Sequence, residues 1–466
     1  MFLFQIEDLI RHGFGWATGN LCQLKGFKNR ICKKMMFLVQ LENSVIKLKW
    51  TRNALNMSLL KSSFLSDRQW AIVASIFMMA TSAMGPGFLT QTAVFTVKLG
   101  AAFGFAILVS ILIDYVVQQN IWRVVTLTQM RASDIANKAL PGSGYLLAFL
   151  VILGGFFFSI GNIAGAALGL NALFGLDTKW GGILSGALAI LIFASRKATL
   201  AMDKSMIVLG LLKIILIIIV AVIVMPPVGQ AVHQTFAPDQ IDFAIITTIV
   251  GGTVGGYICY AGAHRLLDKG AVGPENIDEV ARAATKGIVV VGIMRYVLFL
   301  AFLGVVVSGA SIDLASHDAN PAAQAFQYAA GTFGYKLFGL IFWAAGISST
   351  IGAAYTSVSF FTAFKKNLSP KQTNYTTITF IALALLLYVV LGATPAGLLI
   401  FVGGFNGLVL PIGLTIFVYV AACRKDMMGN YNYPKWLLIL GVLTCMLTWW
   451  MGYMSFTTVF NYLTKL

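Results

Sequence analysis

The sequence predicts an all-α membrane protein of about eleven transmembrane helices, arranged as a five-plus-five inverted repeat whose first and sixth helices are broken. Three observations predict it. Hydrophobic residues make up 58% of the 466 and charged residues 11%, with a mean hydropathy of +0.83. A water-soluble domain carries roughly 45–50% apolar and about 25% charged residues. Apolar runs of ~20 residues recur along the chain, each long enough to cross about 30 Å of hydrocarbon. Glycine and proline interrupt two of these runs at matching places, five spans apart.

The chain opens on a basic extension, residues 1–56, with nine Lys/Arg against three Asp/Glu. It lacks the apolar core and small-residue cleavage site of a signal peptide. It reads either as a cytosolic tail or as a stretch upstream of a true translation start at Met57, and the second reading is favoured. Residues 57–466 form one polytopic domain with short connections. The expected spans are 70–97, 102–126, 144–174, 180–195, 204–225, 242–262, 286–309, 334–363, 375–392, 396–422 and 436–459.

Loop charge orients these spans. With the N-terminus inside, the inner loops carry sixteen Lys/Arg, from Arg123 and Arg131 to Lys435. The outer segments carry four: Lys98, Lys179, Lys336 and Lys465. That bias follows the positive-inside rule and puts the N-terminus on the cytoplasmic side, and the C-terminus outside, of the cell's inner (plasma) membrane. Basic residues in short loops also explain much of the +16 net charge without a nucleic-acid partner.

The first span contains Gly85-Pro86-Gly87-Phe88. Proline removes a backbone donor, and the flanking glycines tolerate unwound geometry. The sixth contains Gly251-Gly252-Thr253-Val254-Gly255-Gly256-Tyr257. Irregular backbone survives at membrane depth only where protein or a watery cavity satisfies it. Paired broken helices at the midplane are where inverted-repeat proteins bind their cargo. The competing explanation is that the glycines permit close helix packing. Candidate lining residues are Gly85, Pro86, Gly87, Phe88, Thr90 and Gln91 in the first span, and Gly252, Thr253, Gly255, Gly256 and Tyr257 in the sixth. Three ionisable groups fall inside spans: Asp114, Lys213 and Arg295. Such charges are costly and are usually paired or functional. Glu275, Asp278, Glu279 and Arg282 read as an interfacial helix face ahead of the seventh span.

Enzyme and cofactor signals are missing from the sequence. There is no Walker A run. The five cysteines and four histidines show no metal-ligand or triad spacing. No catalytic residue, metal ligand or cofactor is expected.

Several motifs resemble the natural resistance-associated macrophage protein (NRAMP) family of metal transporters. The resemblance runs from about residue 70 to the end. It rests on Arg424-Lys425-Asp426-Met427-Met428-Gly429-Asn430 with Tyr433-Pro434-Lys435-Trp436, on Leu408-Val409-Leu410-Pro411, on Gly346-Ile347-Ser348-Ser349-Thr350, and on the run from Ala167 to Gly175. It implies the LeuT-type fold and transport. The departures fall on the metal site. The family's Asp-Pro-Gly-Asn is here Gly85-Pro86-Gly87-Phe88, so both side-chain ligands are gone. The family's Ala-Thr-Val-Met-Pro-His is here Gly252-Thr253-Val254-Gly255-Gly256-Tyr257, so the thioether and the histidine are gone. The helix 3 acids tied to proton movement fall on Ser159 and Asn162.

A transition metal needs nitrogen, oxygen or sulfur donors, and sulfur favours it over magnesium. The expectation is therefore an ion-coupled secondary transporter for a small organic solute, amino-acid-like or bearing a carboxylate. Its partners would be that solute, a coupling ion (sodium or proton) and the lipid bilayer. By analogy with LeuT-type sodium symporters, Ser348, Ser349 and Thr350 are the candidate coupling-ion residues. Metal transport through backbone carbonyls and waters, and a non-transporting scaffold or sensor, are the alternatives.

Overall fold

Hydrocarbon offers no partners to backbone polar groups, so each spanning segment must close its own hydrogen bonds. The structure, a computed structural model, is accordingly helical. It describes residues 67–194, 215, 217–317, 319–392 and 394–463. The extension 1–56 and Lys213 lie outside the described residues.

The first span is two helices, α1 (Asp67–Ala83) and α2 (Pro86–Leu99). A single 3-10 turn leads into α3 (Phe103–Thr128). A short α4 (Ala132–Ala139) precedes α5 (Ser143–Phe174) and α6 (Thr178–Ala194). Next, α7 (Ile217–Val224) turns by 109° into α8 (Val228–Phe236). The turn holds Pro226 and Pro227, neither of which can donate a backbone bond. The sixth span is again two helices, α9 (Phe243–Thr253) and α10 (Ile258–Asp268). The remaining spans are α11 (Ile277–Val307), α12 (Pro321–Ser359), α13 (Pro370–Leu391), α14 (Pro395–Cys423) and α15 (Lys435–Leu463).

These elements match ten of the eleven expected spans, and only the end of the fifth falls within the described residues. By length and hydropathy alone, eight described helices qualify, or nine with the bent α7–α8 pair. The difference has local causes. The halves of the first span are short, and α2 runs almost directly into α3. The α6 helix has 17 residues, and most of the fifth span lies outside the described residues. The seventh span starts earlier than expected, so Asp278, Glu279 and Arg282 sit on the first turns of α11 itself. The α8 helix was not anticipated.

Helix starts follow capping chemistry. Asp242 Oδ1 accepts from the Ile245 N–H at 3.0 Å at the head of α9. Ser369 and Gln372 bond reciprocally to each other's backbone N–H at the head of α13, ahead of Pro370. The α12 helix is kinked at Ala330 and Gly331, and Gly331 adopts φ 61°, ψ −157°. That region is open essentially to glycine alone.

Burial sorts the spans into layers. In the most apolar stretch of α9–α10, 89% of residues are buried, against 28% for α13 and 33% for α15. The broken sixth span is therefore central, and α13 and α15 form the rim. Small residues set the central spacing. On α5, Gly161 faces Val402 of α14, Gly165 faces the ring of Pro86, and Gly169 faces the backbone of Trp343 on α12.

One end of the bundle is basic and tied together. Arg131 pairs with Asp268 at 2.6 Å, and the Tyr355 hydroxyl donates to the same carboxylate at 2.6 Å. Arg424 donates to the carbonyls of Lys138 and Ala139 at 2.7 Å and forks onto Asp426 at 2.8 Å. Hydrogen bonds from that guanidinium hold the Asp426 carboxyl below the usual carboxylate range.

The Gly331→Ala variant is expected to lose about 1–3 kcal/mol of stability, because alanine cannot hold that backbone without strain. A lowered thermal midpoint in detergent checks it, and an unchanged midpoint argues against the kink.

Candidate functional site

The first break falls at Met84-Gly85. Gly85 is extended (φ −71°, ψ −175°), and Pro86 opens α2, where its missing N–H costs no hydrogen bond. A Cβ at Gly85 would lie 2.9 Å from Ser349 Oγ and 3.2 Å from Asn162 Oδ1. The break is thus wedged between α12 and α5. Ser349 also donates to the Thr81 carbonyl at 3.3 Å, so it reaches the last turn of α1.

The second break is shorter and later than the glycine cluster suggests. It covers Val254–Tyr257, while Gly251, Gly252 and Thr253 remain helical in α9. The four glycines therefore divide between the two competing explanations. A Cβ at Gly251 would collide with the Gly403 carbonyl and the Gly407 backbone of α14, so Gly251 serves close packing. A Cβ at Gly252 would come 2.6 Å from Gln91 Oε1. Gly255 and Gly256 form the break, and Gly256 takes φ 57° against the side chain of Asn406.

Buried polar atoms without hydrogen-bond partners gather around the breaks. They include Ser82 Oγ, Thr90 Oγ1, Gln91 Oε1, Asn162 Nδ2, Tyr257 Oη and Asn406 Oδ1. Each such group costs about 1–3 kcal/mol when buried without a partner. Native proteins concentrate such costs where a ligand, an ion or ordered water meets them. Tyr257 is fully buried, with its ring edge-on to Phe158 at 5.2 Å.

Other predicted groups are occupied. Gln91 Nε2 donates to the Leu399 carbonyl at 3.0 Å and bridges α2 to α14. Ser348 and Thr350 bond back to Ala345 and Gly346 of their own helix. Ser159 bonds back to Gly155 in the same way.

The two described intramembrane charges lie beside the breaks. Arg295 of α11 is 1% exposed. Its guanidinium carbon sits 4.2 Å from the centre of the Phe88 ring, a cation–π arrangement, and Nη1 donates to the Ile249 carbonyl at 3.4 Å. Asp114 of α3 accepts from Thr253 Oγ1 at 3.4 Å. It lies within electrostatic reach of Arg295 without closing a direct ion pair. Sequence reasoning missed Ser82 and Asn406. An amide inside the apolar run 396–422 was the available signal for Asn406.

No group of three or more His, Cys, Asp or Glu that could hold a metal occurs among the described residues. The chain nevertheless matches a family model described as natural resistance-associated macrophage protein-like, over residues 76–458. The chain belongs to the NRAMP family. A membrane protein of Bacillus subtilis, YcsG, uncharacterized by its own description, is 49% identical over 390 residues, 84% of this chain and 95% of that one. A second uncharacterized membrane protein, from Haemophilus influenzae, is 46% identical over 401 residues, 86% of this chain and 98% of that one.

Solved structures share the NRAMP chain's fold. A mutant of the Eremococcus coleocola manganese transporter superposes with TM-score 0.67 at 15% identity, covering 84% of this chain and 86% of that one. MhsT in complex with L-phenylalanine superposes with TM-score 0.56 at 15% identity, covering 84% and 98%. Family and fold together make this a multi-pass membrane protein of transporter architecture, with the five-plus-five LeuT-type plan expected from the two breaks.

The Gly251→Val variant is expected to lose at least about 1–3 kcal/mol, since neither α9 nor α14 can yield backbone to a branched side chain. Loss of the monodisperse folded peak on size exclusion checks it. Normal folding of this variant would mean that α9 and α14 do not meet at Gly251.

Proposed function

We propose that this NRAMP-family chain is a secondary transporter that moves a small organic solute by alternating access, coupled to an ion gradient. The observation that carries the reading is the donor set between the broken spans. Gly85, Phe88, Gly255 and Tyr257 stand where the family pattern has its metal-binding or neighbouring polar side chains. A buried guanidinium lies over Phe88. A divalent ion stripped of water there would meet like charge in a low dielectric, without the thioether and imidazole that the family pattern places at the positions of Gly255 and Tyr257.

Spare hydrogen-bonding capacity on Ser82, Thr90, Asn162, Tyr257 and Asn406 suits a neutral or zwitterionic organic molecule. Gly85, Gly255 and Gly256 lie in the two breaks, and Pro86 and Gly87 open α2 beside the first. Gln91, Gly252 and Thr253 pack the wall behind. The fold itself accommodates such cargo, since MhsT of the same architecture holds L-phenylalanine.

Coupling to sodium is supported at one place. Ser349 Oγ and the Thr81 carbonyl bring two oxygens from α12 and α1 within 3.3 Å of one another. A sodium ion bound there would cross-link the halves that alternating access separates. Ser348 and Thr350 flank it on the same turn. The positive-inside bias supports an N-terminus on the cytosolic side of the inner membrane and a C-terminus outside.

A second reading has a specific observation behind it. Solved neighbours are described as manganese transporters, and backbone carbonyls with waters could carry Mn²⁺ through this chain too. The two readings separate in a thermal-shift screen of purified protein against Mn²⁺, Mg²⁺ and a panel of amino and carboxylic acids, with and without sodium. A ligand at about 100 times its Kd stabilises the folded state by about 2.7 kcal/mol. Such a shift is expected from an organic acid and none from Mn²⁺. A saturable shift with Mn²⁺ alone would falsify the organic-solute reading.

The Ser349→Ala variant is expected to bind the solute with its sodium dependence reduced by about tenfold or more, the worth of roughly 1.4 kcal/mol. Uptake into proteoliposomes across a series of sodium gradients checks this. Uptake that is flat in sodium for the native chain rules sodium out and leaves the proton.

A further inference from the structure

We propose that Arg295 is the receptor for a carboxylate group on the transported solute, gripping it along its Nε–Nη2 edge. The inference deepens the organic-solute reading and rests on it.

Three observations converge on this one side chain. First, the guanidinium is committed at one corner only. Nη1 donates to the Ile249 carbonyl at 3.4 Å, whereas Nε and Nη2 are buried with no hydrogen-bond partner. Those two nitrogens lie along a single edge of the planar group. That edge presents two parallel N–H bonds, the pattern a carboxylate accepts with both oxygens. Lysine, a point charge, cannot reproduce it.

Second, the side chain is held, not floppy. Its face rests on Phe88 at 4.2 Å, and it is 1% exposed. Phe88 belongs to the first turn of α2, and Ile249 lies one turn before the end of α9. The guanidinium is therefore fixed by both broken spans, next to both breaks. A solute seated between the breaks has it within reach.

Third, the nearby counter-charge leaves the edge free. Asp114 accepts from Thr253 Oγ1 and stays out of direct contact with Arg295. A purely structural buried arginine would close on the available carboxylate, because uncompensated buried charge is strongly destabilising. Here Asp114 lowers the cost of keeping the cation buried while its bidentate edge stays open. An incoming carboxylate completes what Asp114 leaves undone, so binding energy is concentrated on that group.

The test uses the full-length purified chain. L-proline, L-alanine, lactate and benzoate are each compared with the matching amide by thermal shift. At least one acid is expected to raise the unfolding temperature, and its amide is not. In Arg295→Lys, affinity for that acid is expected to fall by about tenfold or more, with the unliganded unfolding temperature close to that of the native chain.

Protection from phenylglyoxal, an arginine-selective reagent, gives a readout that needs no variant. The acid is expected to protect Arg295 from labelling in the native protein, mapped by peptide mass, and the amide is not. Equal shifts from an acid and its amide overturn the carboxylate receptor while leaving the organic-solute reading in place. A shift from Mn²⁺ alone overturns both. Undiminished acid binding in Arg295→Lys, labelling unaffected by every acid, or no shift with any acid overturns Arg295.

Discussion

Every unwound residue in a membrane-spanning helix leaves polar backbone that lipid cannot satisfy, and the arrangement of this bundle follows from having two such places. Both breaks are carried at the centre, where the surrounding helices supply the missing contacts. Gly85 lies against Ser349 of α12 and Asn162 of α5. Gly255 and Gly256 lie against Asn406 of α14. Gln91 crosses from α2 to the Leu399 carbonyl of α14. The close glycine seams on α5 and α9 exist to let these neighbours come near enough. The rim helices α13 and α15 have no such duty and are mostly exposed on the outer face.

Family membership and site chemistry point in different directions here, and physical chemistry separates them. The NRAMP match covers residues 76–458, and the solved neighbours include manganese transporters. Yet the two breaks are preserved as geometry while the groups that give a transition metal its affinity are absent from the aligned motifs. A fold can keep its moving parts and change its cargo, because alternating access depends on helix halves and cargo choice depends on a few side chains. On the proposed reading the buried guanidinium over Phe88 marks such a change, since no cation site gains from a fixed positive charge.

Much of the architecture was legible from one sequence because hydrocarbon imposes a simple length rule and a simple polarity rule. The described spans, the two breaks and the buried charges Asp114 and Arg295 were all readable in advance. What stayed hidden depends on partners far away in the chain. Gly251 and Gly255 look alike in sequence. Only the approach of Gly403 and Gly407 makes the first a packing residue, while Gly255 enters the unwound turn. Ser349 and its neighbours Ser348 and Thr350 form one hydroxyl run, and helix rotation alone decides that Ser349 reaches Thr81. Arg295 was visible as a costly charge, but its seat on Phe88 joins residues more than two hundred positions apart. The α8 helix beyond Pro226-Pro227 was too short to announce itself.

The tie at the basic end has a mechanical meaning. Asp268 is the last residue of α10, the half-helix that leaves the second break, and it holds both Arg131 and Tyr355. One turn earlier, His264 accepts from the Ala132 backbone and meets Ser359, so α10 is fastened twice to the same two neighbours, the α4 segment and α12. If the turn at Val254–Tyr257 hinges, α10 swings only after both fastenings let go. The far terminus of the lever thus works as a latch. In the proposed transport cycle its grip would set how long the chain dwells shut on that side, independently of how tightly the centre holds its solute.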